Sequence, residues 1–198
     1  MKHPGDDNAA GPSDPFDPFR ERFAAQFAKP AELRPIDPRD LTPFQRALLV
    51  CDGTVTKFIE VYTMEPVDVA CLDCTKFRLT DDDPWLDARP GSEIARRRVI
   101  LRGARSGALY AYAVASIVLG RLPPEVRERL EVQGQSLGRI LSDRRMETRR
   151  EVLWYGREQA RDLPEAVRRL SDGRFLTRTY RIMFGGGPIA LITEKFPE

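Results

Sequence analysis

An arginine and a glutamate stand where strand alternation would bury them. In the C-terminal segment GGGPIALITEKFPE, alternation puts Ala190, Ile192, Glu194 and Phe196 on one face, with Leu191, Thr193 and Lys195 on the other. In RRRVILRG, Arg97 shares a face with Val99 and Leu101, while Arg96, Arg98, Ile100 and Arg102 point the opposite way. Burying an unpaired charge costs several kcal/mol. Arg97 is therefore either a strand-end arginine whose head snorkels to water or a guanidinium held inside to clamp a carboxylate with two hydrogen bonds. A shared pocket for a small polar anion explains both charges. A plain buried salt bridge explains them equally well, and the pattern alone leaves the two open.

Composition narrows the chemistry. The chain has 198 residues, enough for one domain with a substantial core, and a formal charge of +2, too small to commit it to nucleic acid or a membrane surface. No apolar run reaches the roughly 18 residues of a membrane span, and the N-terminus lacks the apolar core of a signal peptide. Three cysteines fit a reducing cytoplasm better than a secreted disulfide framework. The one histidine, His3, lies in a Pro- and Gly-rich tail, which argues against Ser-His-Asp catalysis and a histidine-bound metal. CLDC (Cys71, Cys74) has neither a second pair nor a histidine, and reads as buried, inert thiols. FGGGP lacks the Lys and Ser/Thr of a phosphate loop and reads as turn glycines. DRRMETRR, with Arg144, Arg145, Arg149 and Arg150 around Glu147 and Glu151, reads as the solvated face of a helix.

These residues must be positioned by an α+β domain on an antiparallel sheet. Residues 1–38 read as a flexible arm, with Phe16, Phe19, Phe23 and Phe27 spaced for a short amphipathic helix laid on the domain, or on a partner. In the domain, residues 39–198, Asp40 or Thr42 caps a first helix, and VTKFIEVY starts a second helix or a strand. PVDVACLD, RRRVILRG and ALYAYAVASIVL read as strands, and TDDDPWLDARPG as a polar loop. LPPEVRERLE and LPEAVRRL read as helices, and SLGRILSDRRMETRREVLWYG as mostly helical. FLTRTYRIMF and PIALITEKF form a hairpin whose glycines supply positive φ.

The blocks ALLVCDGTVTKFIE, RRVILRG followed by YAYAVAS, RLPPEV, SLGRIL, RTYRI and GGGPIALITEKF occur in the order found in the chorismate lyase (chorismate pyruvate-lyase) family, which the chain resembles over about residues 40–198, its actinobacterial-type members above all. The resemblance implies one α+β domain, an antiparallel sheet with helices on one side and helical flaps over a buried ligand site. It places ligand contacts at Arg97, Glu194 and two flap positions, Val55 and Leu137, the latter pair acting through backbone N–H groups. Some members carry a further arginine where this chain has Val114.

The implied reaction removes pyruvate from chorismate and leaves 4-hydroxybenzoate. Aromatisation drives it, so no cofactor and no metal are required. Arg97 would bind and polarise an anionic group, and Glu194, close to Arg97, would be the general acid/base. The small-molecule substrate, the aromatic product and a cytoplasmic monomer or weak homo-oligomer complete the expectation. The same fold resembles effector-binding domains of GntR-type regulators, so a non-catalytic sensor of an aromatic acid is the main rival. A lyase releasing a different hydroxybenzoate and an interaction protein using the Phe-rich arm are the others.

Overall fold

Six strands pair into one antiparallel sheet: β1 (Val67–Arg78), β2 (Glu93–Gly103), β3 (Leu109–Val118), β4 (Arg149–Gln159), β5 (Arg174–Phe184) and β6 (Gly187–Pro197), in the spatial order β1-β2-β3-β6-β5-β4. The computed structural model describes residues 17–19, 21–131 and 136–198. Its helices are α1 (Pro43–Val50), α2 (Val55–Thr63), α3 (Pro124–Glu131), α4 (Leu137–Asp143) and α5 (Glu165–Arg168). The order repeats in each half: two helices precede three strands, and the last strands of the halves, β3 and β6, meet at the centre.

Local chemistry explains the element ends. Thr42 and Gln45 form a reciprocal capping box at the start of α1, with Pro43 in its first turn, worth about 1 kcal/mol. The β5–β6 turn runs through Gly185 and Gly186 at φ 58° and 86°, a conformation that penalises any residue with a Cβ.

Buried side chains divide by face. Leu48 and Leu49 of α1 and Val55 and Ile59 of α2 pack on Leu101, Leu176 and Phe196. Val126 and Leu130 of α3 and Leu137, Ile140 and Leu141 of α4 pack on Ile117, Tyr180, Ile182 and Ile192. These four helices cover the sheet face that carries Arg97 and Glu194. The short α5 lies on the other face, where Val167 meets Ile100, Tyr112 and Phe175.

Three expectations need correction. The stretch that reads as one long helix ends at Asp143, and Arg145 then takes φ 51° before β4 begins. Val152, Trp154 and Tyr155 are strand formers, and pairing with β5 outweighs the helical charge spacing ahead of them. In the arm, the described residues form turns and a 3-10 turn at Gln26–Ala28 in place of an amphipathic helix. Phe19 and Phe23 stack at 5.7 Å, and Phe23 lies 4.4 Å from the Tyr155 ring, whereas Phe27 is exposed. The amides of Ala24 and Ala25 donate to Val152 and Leu153 at 2.9 Å, and Arg34 bridges Arg157, so the arm covers the outer edge of β4. Phe16 and His3 lie outside the described residues. Finally, Cys74 is exposed and Cys71 only partly buried, not a buried pair. Desolvation pushes the Cys74 thiol up, against the pull of Arg97 nearby. No helix among the described residues is long and apolar enough to cross a membrane.

Candidate active site

The ladder registers place the polar residues on the helix-covered face in adjoining rows. One row runs Val99, Ala113, Glu194, Arg178 across β2, β3, β6 and β5. The next runs Arg97, Ala115, Ile192, Tyr180 and, on β4, Val152. Arg97 and Glu194 are thus two strands apart and one side-chain step offset, about 12 Å between Cα atoms at ordinary sheet spacing. Ala113 and Ala115 lie between them. Their small side chains leave a floor where bulkier residues would fill the space.

A cavity stands on that floor. Arg97, Glu194, Tyr180 and Arg150 line it from the sheet, and Thr54–Thr56 and Ser136–Gly138 cover it from the starts of α2 and α4. It offers the centres of water molecules about 70 Å³. That is room for several water molecules or a small polar ligand. The two flaps approach each other closely: a Cβ added at Gly138 would sit 3.7 Å from the Thr54 side chain. The structure therefore brings Arg97, Val55, Leu137 and Glu194 together around one space. Arg97 is 3 % exposed and Glu194 8 %, so Arg97 is enclosed and does not snorkel to water.

The partner of Glu194 is not Arg97, however. Arg178, with no exposed surface, donates from Nε to Glu194 Oε2 at 2.8 Å. Its Nη1 donates to the carbonyls of Leu49 and Cys51 at 3.2 and 2.8 Å, which ties the end of α1 to the site. The guanidinium lies 4.9 Å from the Tyr180 ring centre and 6.0 Å from that of Phe196. Burial lowers the pKa of Arg178, but Glu194, Tyr180 and Cys51 together outweigh it and hold the group above its ordinary value. The Tyr180 hydroxyl donates to Glu194 Oε1 at 3.0 Å. Burial and then the Glu194 charge push that hydroxyl up, so it stays protonated and donating at neutral pH.

Arg178, Tyr180 and Arg150 are the residues that sequence reading missed. For the first two the signal was present: in FLTRTYRIMF, Leu176, Arg178, Tyr180 and Ile182 alternate onto one face, the same test that singled out Arg97. Arg150 was hidden by the helical assignment. It lies opposite Ile182 on β4 and faces the cavity. Val114 pairs with Arg98 on the opposite face, beside the α5 cluster. An arginine at that position would not point into this chamber. Among the described residues, no three His, Cys, Asp or Glu side chains converge to hold a metal ion.

An α+β domain with an open antiparallel sheet, two flaps and a half-enclosed cation–carboxylate chamber is the class that this architecture defines. Solved structures share the fold: PhnF from Mycobacterium smegmatis at a TM-score of 0.54 and 14 % identity, over 75 % of this chain and 65 % of that one. The C-terminal domain of the histidine utilization repressor from Pseudomonas syringae pv. tomato matches at 0.51 and 12 %, over 66 % and 91 %. The Rv2949c-like chorismate pyruvate-lyase family matches residues 49–198, and the chain belongs to it. The chorismate pyruvate-lyase of Mycobacterium leprae is 30 % identical over 171 residues, 83 % of this chain and 77 % of that protein. That of Mycobacterium tuberculosis is 30 % identical over 182 residues, 86 % and 85 %.

Proposed function

We propose that the protein eliminates pyruvate from chorismate and leaves 4-hydroxybenzoate. The observation that carries this reading is the half-enclosed chamber with Arg97 on one side of an alanine floor and the Arg178-bound Glu194 on the other. In the reaction the ring carbon that bears the hydroxyl loses its proton, and the bond from the adjacent ring carbon to the ether oxygen breaks. The released enolpyruvate takes up a proton at its methylene carbon. Atoms and electrons balance without an oxidant, and the aromatic product makes the step downhill. The protein has to hold one conformer, exclude water and manage a proton.

Arg97 binds a carboxylate and stabilises developing negative charge. Glu194 accepts from Arg178 and Tyr180 through one lone pair on each oxygen, and its remaining lone pairs serve the ring hydroxyl and the departing proton. The first-turn amides at Val55 and Leu137 have no intrahelical acceptor and serve as further donors. With this reading goes a cofactor-independent cytoplasmic enzyme, a monomer or weak homo-oligomer without a nucleic-acid partner.

The test is to incubate purified protein with chorismate and follow 4-hydroxybenzoate by chromatography, with the product identified by mass spectrometry. Formation no faster than the uncatalysed background removes the reading, and tight 4-hydroxybenzoate binding without turnover replaces it with an effector-type domain. Arg97→Ala turnover within about threefold of wild type, under ~0.7 kcal/mol of barrier, would remove Arg97 from the site.

A further inference from the structure

We propose that Arg150 binds the second carboxylate of the substrate and makes the chamber selective for ring dianions over ring monoanions. The inference rests on the lyase reading above and adds to it a residue and a specificity.

Arg150 enters the chamber from β4, four strand spacings from Arg97 on β2, so the two cations face the ring from opposite flanks. Its surroundings suit an anion. Nη1 donates to the Asp52 carbonyl at 2.8 Å, next to the α2 flap. Nη2 lies against the α4 flap, 3.4 Å from where a Cβ on Gly138 would stand. Nε is enclosed and has no hydrogen-bond acceptor among the described residues. Such a donor is costly to bury unless a ligand supplies the missing acceptor. Arg150 also lies near enough to Tyr180 to pull its hydroxyl pKa down, against the larger effect of burial.

Charge agrees with this placement. Arg150 adds a cation beside the Arg178–Glu194 pair, whose own charges cancel. The second carboxylate of a dianion meets that cation, whereas a monoacid leaves it unmet, which favours departure of the product. Because Arg150 lines the chamber beside both flaps, the carboxylate it holds also sits between them.

The experiment is calorimetric titration with two unreactive probes, 4-hydroxybenzoate and 3-(carboxymethoxy)-4-hydroxybenzoate, on wild type and Arg150→Gln. Wild type binds the diacid more tightly. Arg150→Gln weakens the diacid about 30-fold and the monoacid less than about threefold, the span of a charged hydrogen bond. With chorismate the same change raises KM far more than it lowers kcat. Equal loss on both acids, or loss on neither, overturns the inference and leaves the lyase reading standing. If wild type binds neither acid, both fall. Should Arg150→Gln fail to fold, Arg150→Lys, which keeps the charge and loses the planar fork, gives the same contrast at about fivefold, and equal losses there overturn it.

Discussion

Glu65, just before β1, and Glu194 on β6 are both buried carboxylates, and their surroundings differ in one respect. Glu65 is closed on every side. Its oxygens accept from the amides of Arg105 and Ser106 at 3.1 Å, from the Ser106 hydroxyl at 2.7 Å and from the Tyr110 hydroxyl, so it clamps the β2–β3 turn. Those donors, the Tyr110 hydroxyl first, hold its pKa down at about 2. Glu194 has two donors, Arg178 and Tyr180, and its open side faces a cavity. A buried carboxylate whose lone pairs are all used by the protein is structural. One with lone pairs left over beside a half-enclosed space is available for chemistry.

The comparison can be broken most severely at Arg178. Arg178→Met strands Glu194 without its cation and should cost about 3–5 kcal/mol of stability in denaturant unfolding, much of it regained in Arg178→Met/Glu194→Gln. A small loss would mean that the pair contributes little to the fold. Next comes Glu194→Gln, which keeps an acceptor for Arg178. Turnover of chorismate should fall about 100-fold or more, and the thermal midpoint should drop as well because Arg178 stays buried without its counter-charge. Its counterpart Glu65→Gln should lower the midpoint and leave turnover within about twofold. A reversal of that pattern would undo the contrast between closed and open carboxylates. Tyr180→Phe removes one donor and should lower turnover about fivefold, near 1 kcal/mol of hydrogen-bond energy.

The gentlest test is pH. The folded value of Glu65, about 2, lies below its ordinary 4.5. Its contribution to stability is therefore complete above the ordinary value and fades as pH falls toward 2. Melting curves across that window should show a loss that Glu65→Gln reduces.

The alternation that exposed Arg97 and Glu194 was legible because both sit in regular strands with apolar neighbours at i±2. Arg178 and Tyr180 obey the same rule and were legible in principle. Arg150 was not, because DRRMETRR carries ion-pair spacings that favour a helix, and only pairing with β5 turns it into strand. The fate of the phenylalanines was also beyond local pattern. Spacings of three and four describe a helix, yet the arm instead donates to β4 and uses Phe19 and Phe23 as wedges.

By itself the sequence determined five of the six strands, all but β4, the glycine hairpin that returns β6 to the centre, and the two charges pointing inward. Those follow from side-chain period and backbone sterics, which act within a few residues. Tertiary structure alone decided that Glu194 pairs with Arg178 instead of Arg97, that Arg97 stands across an alanine floor, and that a third cation arrives from β4. Strand order and register set those distances, and both are properties of how the whole chain packs.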